Sequence, residues 1–247
     1  MSTTCLNAIV LSYTDYRENS RMLTLFTAEK GRVDAMAHNC RKPSAPFLAC
    51  AQPFAYGEYE LYEKNGRHTL RGCELRESFF SLRDNIDSFT IASVLARLCQ
   101  DVVQEGQPNP ELFSLFYISL SHLAYGQGDP QDLLVYFLLH FFRHLGHCPT
   151  LTRCAACGLD LRGEKHLFFA CQAGGAVCAA CAQGAAPVSA TALEAMRRIL
   201  LLPESDLPRV TLKPPLRREL MRLAVDYGRY HNCGGPRAYA ILVGIED

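Results

Sequence analysis

The sequence predicts an α+β protein: a small closed barrel of five strands at the N-terminus, followed by an all-α domain that carries an inserted cysteine-rich module. Three observations predict it. Apolar residues alternate with period two over residues 1–80, they recur at helical spacing after residue 80, and two CxxC pairs fall within residues 154–181. The 247 residues are 49% hydrophobic and 20% charged, a balance that lets a globular chain bury a core.

The strands fall at 5–14, 21–28, 32–38, 53–63 and 67–75, rich in β-branched and aromatic residues. Glu29-Lys30-Gly31 and Lys64-Asn65-Gly66 join them as hairpins, with glycine supplying the positive φ of a tight turn. Five short strands in so little chain suit a barrel better than a sandwich. Helices are expected at 88–104, 110–125, 131–146, 189–202 and 214–231, separated by breakers such as GQPNP and GQGDP. Asp129 before Pro130, and Ser189 before its apolar run, are N-cap signals. The expected domains are therefore 1–80 and 81–247, with the module inserted at about 148–187.

That module reads CAACGLDLRGEKHLFFACQAGGAVCAAC. Cys154, Cys157, Cys178 and Cys181 form CxxC, twenty intervening residues, then CxxC, the spacing of a zinc-binding module. Each CxxC brings two thiolates to one side of the backbone, and two such knuckles complete a tetrahedron. Gly158 relieves the first knuckle, HLFFA reads as a strand, and Gly174-Gly175 as a turn. Large apolar residues are few here, so one structural Zn2+, worth on the order of 10–16 kcal/mol in small peptides, would supply the folding energy. Cys171 and His166 also lie in the loop, without a partner at knuckle spacing. The alternative is a pair of buried or redox-active CxxC motifs, although neither stands at a helix start after a parallel strand. The other seven cysteines, Cys5, Cys40, Cys50, Cys73, Cys99, Cys148 and Cys233, are expected to act mostly as small hydrophobes.

No catalytic signature accompanies the module. GxSxG, Walker A, GxGxxG and HxE elements are all absent from the sequence, so an enzyme is not expected and no catalytic residue is named. His140, His144 and His147 share a helical segment so apolar that they are expected as rim or hydrogen-bonded core residues. No apolar run reaches the ~20 residues needed to span a bilayer, and no leader pattern opens the chain, so the expected location is the cytoplasm.

Net charge is zero, which argues against a strong sequence-independent nucleic-acid binder. The distribution is less even: residues 81–150 carry 3 Lys and Arg against 7 Asp and Glu, whereas residues 1–80 carry 10 against 9. Within the barrel Arg32, Arg41, Lys42, Arg67 and Arg71 lie near strand ends, with Tyr56, Tyr59 and Tyr62 close in sequence. Barrels of the OB type bind single strands with such basic grooves and stacking rings. A solvated barrel surface is the competing reading.

Two stretches resemble one family. AIVLSYTDYRENSRMLTLFTAEKGRV, with Tyr16, Glu18, Ser20, Leu23, Phe26, Thr27, Glu29 and Gly31 in order, resembles the opening of the bacterial RecO recombination mediators. LGHCPTLTRCAACG followed by GGAVCAAC resembles that family's zinc segment. The resemblance implies an N-terminal OB-fold, a helical domain and a zinc module. It implies non-enzymatic work in the cytoplasm at the nucleoid: binding single- and double-stranded DNA, annealing strands, and helping to load RecA onto DNA coated with single-strand-binding protein, with RecR as main partner. Three departures stand out. His38-Asn39-Cys40-Arg41 replaces the family's Lys-Gly-x-Arg, removing a lysine while Asn39 keeps the turn possible. Val135-Tyr136-Phe137-Leu138 replaces Arg-x-Phe-Glu, so a site for the acidic tail of single-strand-binding protein is not spelled out. GGPRAYAIL lacks the family's Leu-Lys-Ser, and Arg217, Arg218 and Arg222 are the candidate compensating contacts. A protein-interaction scaffold of the same architecture with little DNA binding is the second functional reading, and a CxxC thiol oxidoreductase the third.

Overall fold

The computed structural model describes residues 2–42, 44–203 and 211–245, with side chains through residue 242. Its first strand, β1 (Ser2–Tyr16), is followed by β2 (Ser20–Thr27), β3 (Gly31–Ala37), β4 (Tyr56–Lys64) and β5 (Arg67–Glu77). They close into a barrel in the order β1-β2-β3-β5-β4, with β3 and β5 parallel and the other pairs antiparallel. This is the OB-fold expected from the sequence. β1 serves two neighbours by length: Ser2–Ile9 pair with β4 and Ala8–Tyr16 with β2, and a bulge between Val10 and Ser12 bends the strand from one to the other.

Alternation decides the barrel core. Leu6, Ala8 and Val10, Leu23 and Leu25, Val33 and Ala35, Tyr59 and Leu61, and Leu70 all point inward. Each fully buried large side chain contributes roughly 1.5–3 kcal/mol of transfer free energy. Residues 38–42 and 44–55 lie so that Cys40, Phe47, Cys50 and Ala51 pack in or against that core. The fourth strand starts at Tyr56 rather than at 53, because Phe54 takes a left-handed conformation, φ 72°. Asn65 and Gly66 both have positive φ, the conformation a two-residue hairpin turn demands.

Helices α1 (Ile86–Val102) and α2 (Pro110–Tyr125) follow. Asn85 caps α1 by accepting from the N–H groups of Asp87 and Ser88. Their aromatic residues meet the barrel's outer wall: Phe113 lies edge-on to Phe26 at 5.3 Å, and Phe89 to Phe54 at 5.7 Å. The compact unit therefore runs from Met1 to Tyr125, past the change of periodicity at residue 80. Gly31 is required where β3 begins: a Cβ there would collide with the carbonyl oxygens of Gln104 and Gln107.

The second compact unit, Gly126–Asp247, opens with α3 (Pro130–His144). Asp129 accepts from the Gln131 N–H at 2.9 Å, the cap expected before Pro130. Residues 133–142 of α3 are all buried, as befits a helix apolar on every side. His140 is among them, 2.9 Å from the Ile199 carbonyl and stacked on Tyr136, a hydrogen-bonded core residue. Strands β6 (Leu167–Ala170), β7 (Gly175–Cys178) and β8 (Ala186–Pro187) form a small sheet ordered β7-β6-β8. Helices α4 (Ala190–Leu201), α5 (Pro214–Tyr230) and α6 (Pro236–Ile245) complete the unit. Ser189 caps α4 through the Ala192 N–H. α6 was not expected from the pattern; it packs Tyr239 where Gly228 leaves α5 without a side chain.

One buried ion pair ties α3 to the start of α5. Asp132, 3% exposed, accepts from Arg217 Nε at 2.6 Å and from the Leu212 N–H at 3.0 Å. Arg217 also reaches Asp129 at 2.6 Å and Gln131 at 3.1 Å. Its guanidinium is thus engaged by the fold, whereas Arg218 and Arg222 are exposed.

Candidate metal centre and nucleic-acid interface

The candidate metal centre is built from two knuckles and one hairpin. In the first, Cys154 N–H donates to Leu159 O at 2.7 Å and Gly158 N–H to Cys154 O at 2.8 Å, with Gly158 at φ 78°. Ala155 N–H donates to Ala176 O at 2.8 Å, tying this knuckle to β7. β7 ends in Cys178, and a 3-10 turn over Ala179–Cys181 turns the last thiol back. Gly175 holds the hairpin close: it pairs with Thr150, and a Cβ on it would stand 2.7 Å from Thr150 N.

The outcome is that the Sγ atoms of Cys154, Cys157, Cys178 and Cys181 lie within 4.8 Å of one another, with Cys157 and Cys178 at 3.9 Å. Tetrahedral geometry at Zn–S of ~2.3 Å requires S···S separations of about 3.8 Å, so the four thiols fit that ion. The contact at 3.9 Å crosses from one CxxC to the other, so the pairs converge on one point rather than acting as separate dithiols. Cys154 and Cys178 are buried, Cys181 is half-buried and Cys157 is exposed. Burial opposes ionisation of Cys154, but the N–H groups of Cys178, Cys157 and Ala156 point at it and bring its pKa down to about 6. Hydrogen bonding with Cys178 and Cys157, together with desolvation, pushes Cys181 up to about 12. Four thiols this close cannot all ionise without a cation among them.

Cys171 and His166 stand outside this cluster, and no other group of three or more ligating side chains gathers among the described residues. The Cys171 carbonyl instead lies 3.0 Å from His231 Nε2. Of the remaining cysteines, Cys40, Cys50, Cys99 and Cys233 are buried and Cys73 is half-buried, whereas Cys5 and Cys148 are exposed and so depart from the small-hydrophobe expectation.

The barrel's five candidate cations do not form one patch. Arg41 lies beside the β1–β2 hairpin, its N–H donating to Asn19 O at 3.1 Å and its guanidinium 3.5 Å from Asp15; Lys42 is exposed next to it. Arg32 is paired with Asp34 at 2.7 Å and shares a polar cleft with Gly66 and His68, which flank the exposed Arg67. Arg71 lies farther along β5, 5.1 Å over the Tyr62 ring.

The aromatic residues need correction. Tyr59 is buried in the barrel, its hydroxyl donating to Cys50 O at 2.8 Å, and Tyr56 packs 4.8 Å from Tyr117 of α2. Only Tyr62 of the three is placed for a ligand. Among the described residues of the barrel strands, the exposed rings are Tyr13 and Tyr16 on the β1–β2 hairpin, accompanied by Arg21 and Arg17. The signal for them was the stretch SYTDYRENSR, polar and aromatic with no apolar face, which describes a ribbon projecting from the core. Val135, Tyr136, Phe137 and Leu138 are all buried in α3, so this position offers no surface to an acidic peptide.

Comparison with known proteins agrees with both halves. The family described as Recombination protein O N terminal matches residues 1–79, and Recombination protein O C terminal matches residues 83–237. The DNA repair protein RecO of Desulfitobacterium hafniense (strain Y51) is 37% identical over 200 residues, covering 78% of this chain and 72% of the relative. That of Pelotomaculum thermopropionicum is 34% identical over 239 residues, covering 96% and 92%. That of Anaeromyxobacter sp. (strain K) is 32% identical over 231 residues, covering 92% and 90%. An OB barrel, a helical unit bearing four convergent cysteines, and these matches along both halves lead to one conclusion: the chain belongs to the RecO family of DNA repair proteins.

Proposed function

We propose that the chain is a non-enzymatic mediator that binds single- and double-stranded DNA, anneals strands, and helps load RecA onto DNA coated with single-strand-binding protein, in concert with RecR. The OB barrel carries this reading: it presents Arg41 and Lys42, Arg32 and Arg67, and Arg71 over Tyr62 on its surface. Cys154, Cys157, Cys178 and Cys181 would hold one Zn2+. With four protein ligands the site has no open position, so the ion would supply folding energy rather than chemistry. The cytoplasm at the nucleoid is the location this work requires, and among the described residues no helix is long and apolar enough to cross a membrane.

Fluorescence anisotropy with labelled oligonucleotides, at low salt and with or without RecR, tests the proposal. Binding should weaken steeply with salt, because each neutralised phosphate releases counterions. Arg41→Ala with Lys42→Ala should weaken binding and flatten the salt slope. Unchanged affinity would move the contact elsewhere.

A second reading has its own support. Arg32 is paired with Asp34, Arg41 with Asp15, and the chain has no net charge. A scaffold that holds RecR without binding DNA would look like this. Capture of RecR together with flat anisotropy curves would favour it.

A further inference from the structure

Tyr13 is held as no ordinary surface ring would be. In the β1–β2 ribbon Tyr13 pairs with Leu23 and Asp15 with Arg21, so Tyr13, Asp15 and Arg21 share one face. The Arg21 guanidinium carbon lies 3.6 Å from the Tyr13 ring centroid. That guanidinium is itself fixed, donating to Asp15 Oδ1 at 3.1 Å and to Ala51 O at 2.9 Å, and its side chain is only 12% exposed. Tyr13 remains 37% exposed. The ring is therefore backed by a cation and set in one orientation, with just over a third of the residue's surface open to solvent.

The surroundings favour an anion. Arg17, Arg21, Arg41 and Lys42 stand near the ribbon against Asp15 and Glu18, four cations to two carboxylates. An aromatic ring with cations about it suits a flat π-system carried on a phosphate chain.

We propose that Tyr13, backed by Arg21, is a stacking platform for an unpaired nucleobase, and that it gives the barrel a preference for single strands over duplex. The proposal rests on the reading of the barrel as a DNA-binding surface. A single strand can lay a base on the ring, since every base has a π-face; a duplex keeps those faces inside its own stack.

The chain contains no tryptophan, so Tyr13→Trp in the full-length, zinc-loaded protein creates a single reporter. Titration with oligothymidylate should quench its emission with the same midpoint as the anisotropy curve. Tyr13→Ala should weaken oligothymidylate binding roughly 5- to 150-fold, the range for one lost base–aromatic stack. It should leave the salt slope unchanged, because no charge is removed. Binding to duplex, and to an abasic strand of equal length, should be unaffected. Unmoved emission from Trp-substituted protein that binds by anisotropy would overturn the platform and leave the DNA reading intact. An equal loss on abasic and thymidylate strands would do the same. If the wild-type chain binds no oligonucleotide at low salt, the DNA reading fails and the platform with it.

Discussion

Arg217→Met asks whether a cation that the sequence offers to DNA belongs instead to the fold. Removing the guanidinium leaves Asp132, 3% exposed, with the Leu212 N–H as its remaining partner in this network, while the more exposed Asp129 returns to water. Breaking a buried pair by deleting one partner costs ~3–5 kcal/mol. Arg217 keeps 15% side-chain exposure and Asp132 keeps one donor, so the expected loss is at the lower end, about 3 kcal/mol. That corresponds to roughly 10 °C in the melting temperature of a unit this size. Asp132→Leu alone should cost less, since Arg217 keeps Asp129 and Gln131 and it is the Leu212 N–H that loses its acceptor. The double variant Asp132→Leu/Arg217→Met should be more stable than the sum of the two losses, with a coupling of about 1–3 kcal/mol. Urea unfolding followed by circular dichroism measures all three, and anisotropy on the folded Arg217→Met protein measures DNA binding. A stability loss below about 1 kcal/mol, joined to a flatter salt slope, would refute the assignment and return Arg217 to a ligand.

Cys178→Ser should lower bound zinc from about one per chain, as read by metal analysis, because it removes one of four ligands. Zinc affinity should rise with pH across the window from about 6, where Cys154 ionises, to about 12, where Cys181 does: protons compete for the thiolates, so acidification releases the ion. A pH-independent affinity measured with a competing chelator would contradict a thiolate site. Cys171→Ser should retain the metal in full, since its thiol lies outside the cluster and it is the Cys171 carbonyl that meets His231. Gly175→Ala should loosen the module by forcing a Cβ against Thr150 at φ 151°, seen as faster zinc loss to chelator; unchanged release would show that the backbone accommodates it.

The four-cysteine cluster was legible because four cysteines at knuckle spacing declare themselves whatever surrounds them, and proximity then follows from one hairpin. The five barrel strands and, among the described residues, five of the six α-helices were legible because a half-buried strand and an amphipathic helix each print their period on the chain. α6 escaped because its decisive contact, Tyr239 against Gly228, joins residues from two helices and leaves no local mark. Tyr59 and Tyr56 escaped for a related reason. Alternation says that one face of β4 is buried, and only the closing of the barrel and the packing of α2 say which ring lies under what.

Arginines show the same division. Composition counts them as available charge, and spacing places them near strand ends, but a carboxylate of the same chain that reaches a guanidinium takes up part of that charge. Asp34 reaches Arg32, Asp15 reaches Arg41, and Asp132 with Asp129 takes Arg217. Those partners lie from 2 to 88 residues away in the chain (Asp34 from Arg32; Asp129 from Arg217). Periodicity and ligand spacing are properties of neighbours in sequence, and they were enough for the elements and the cysteine cluster. Which cations and rings remain open to a ligand is a property of neighbours in space, and it was decided when the barrel closed and α3 met α5.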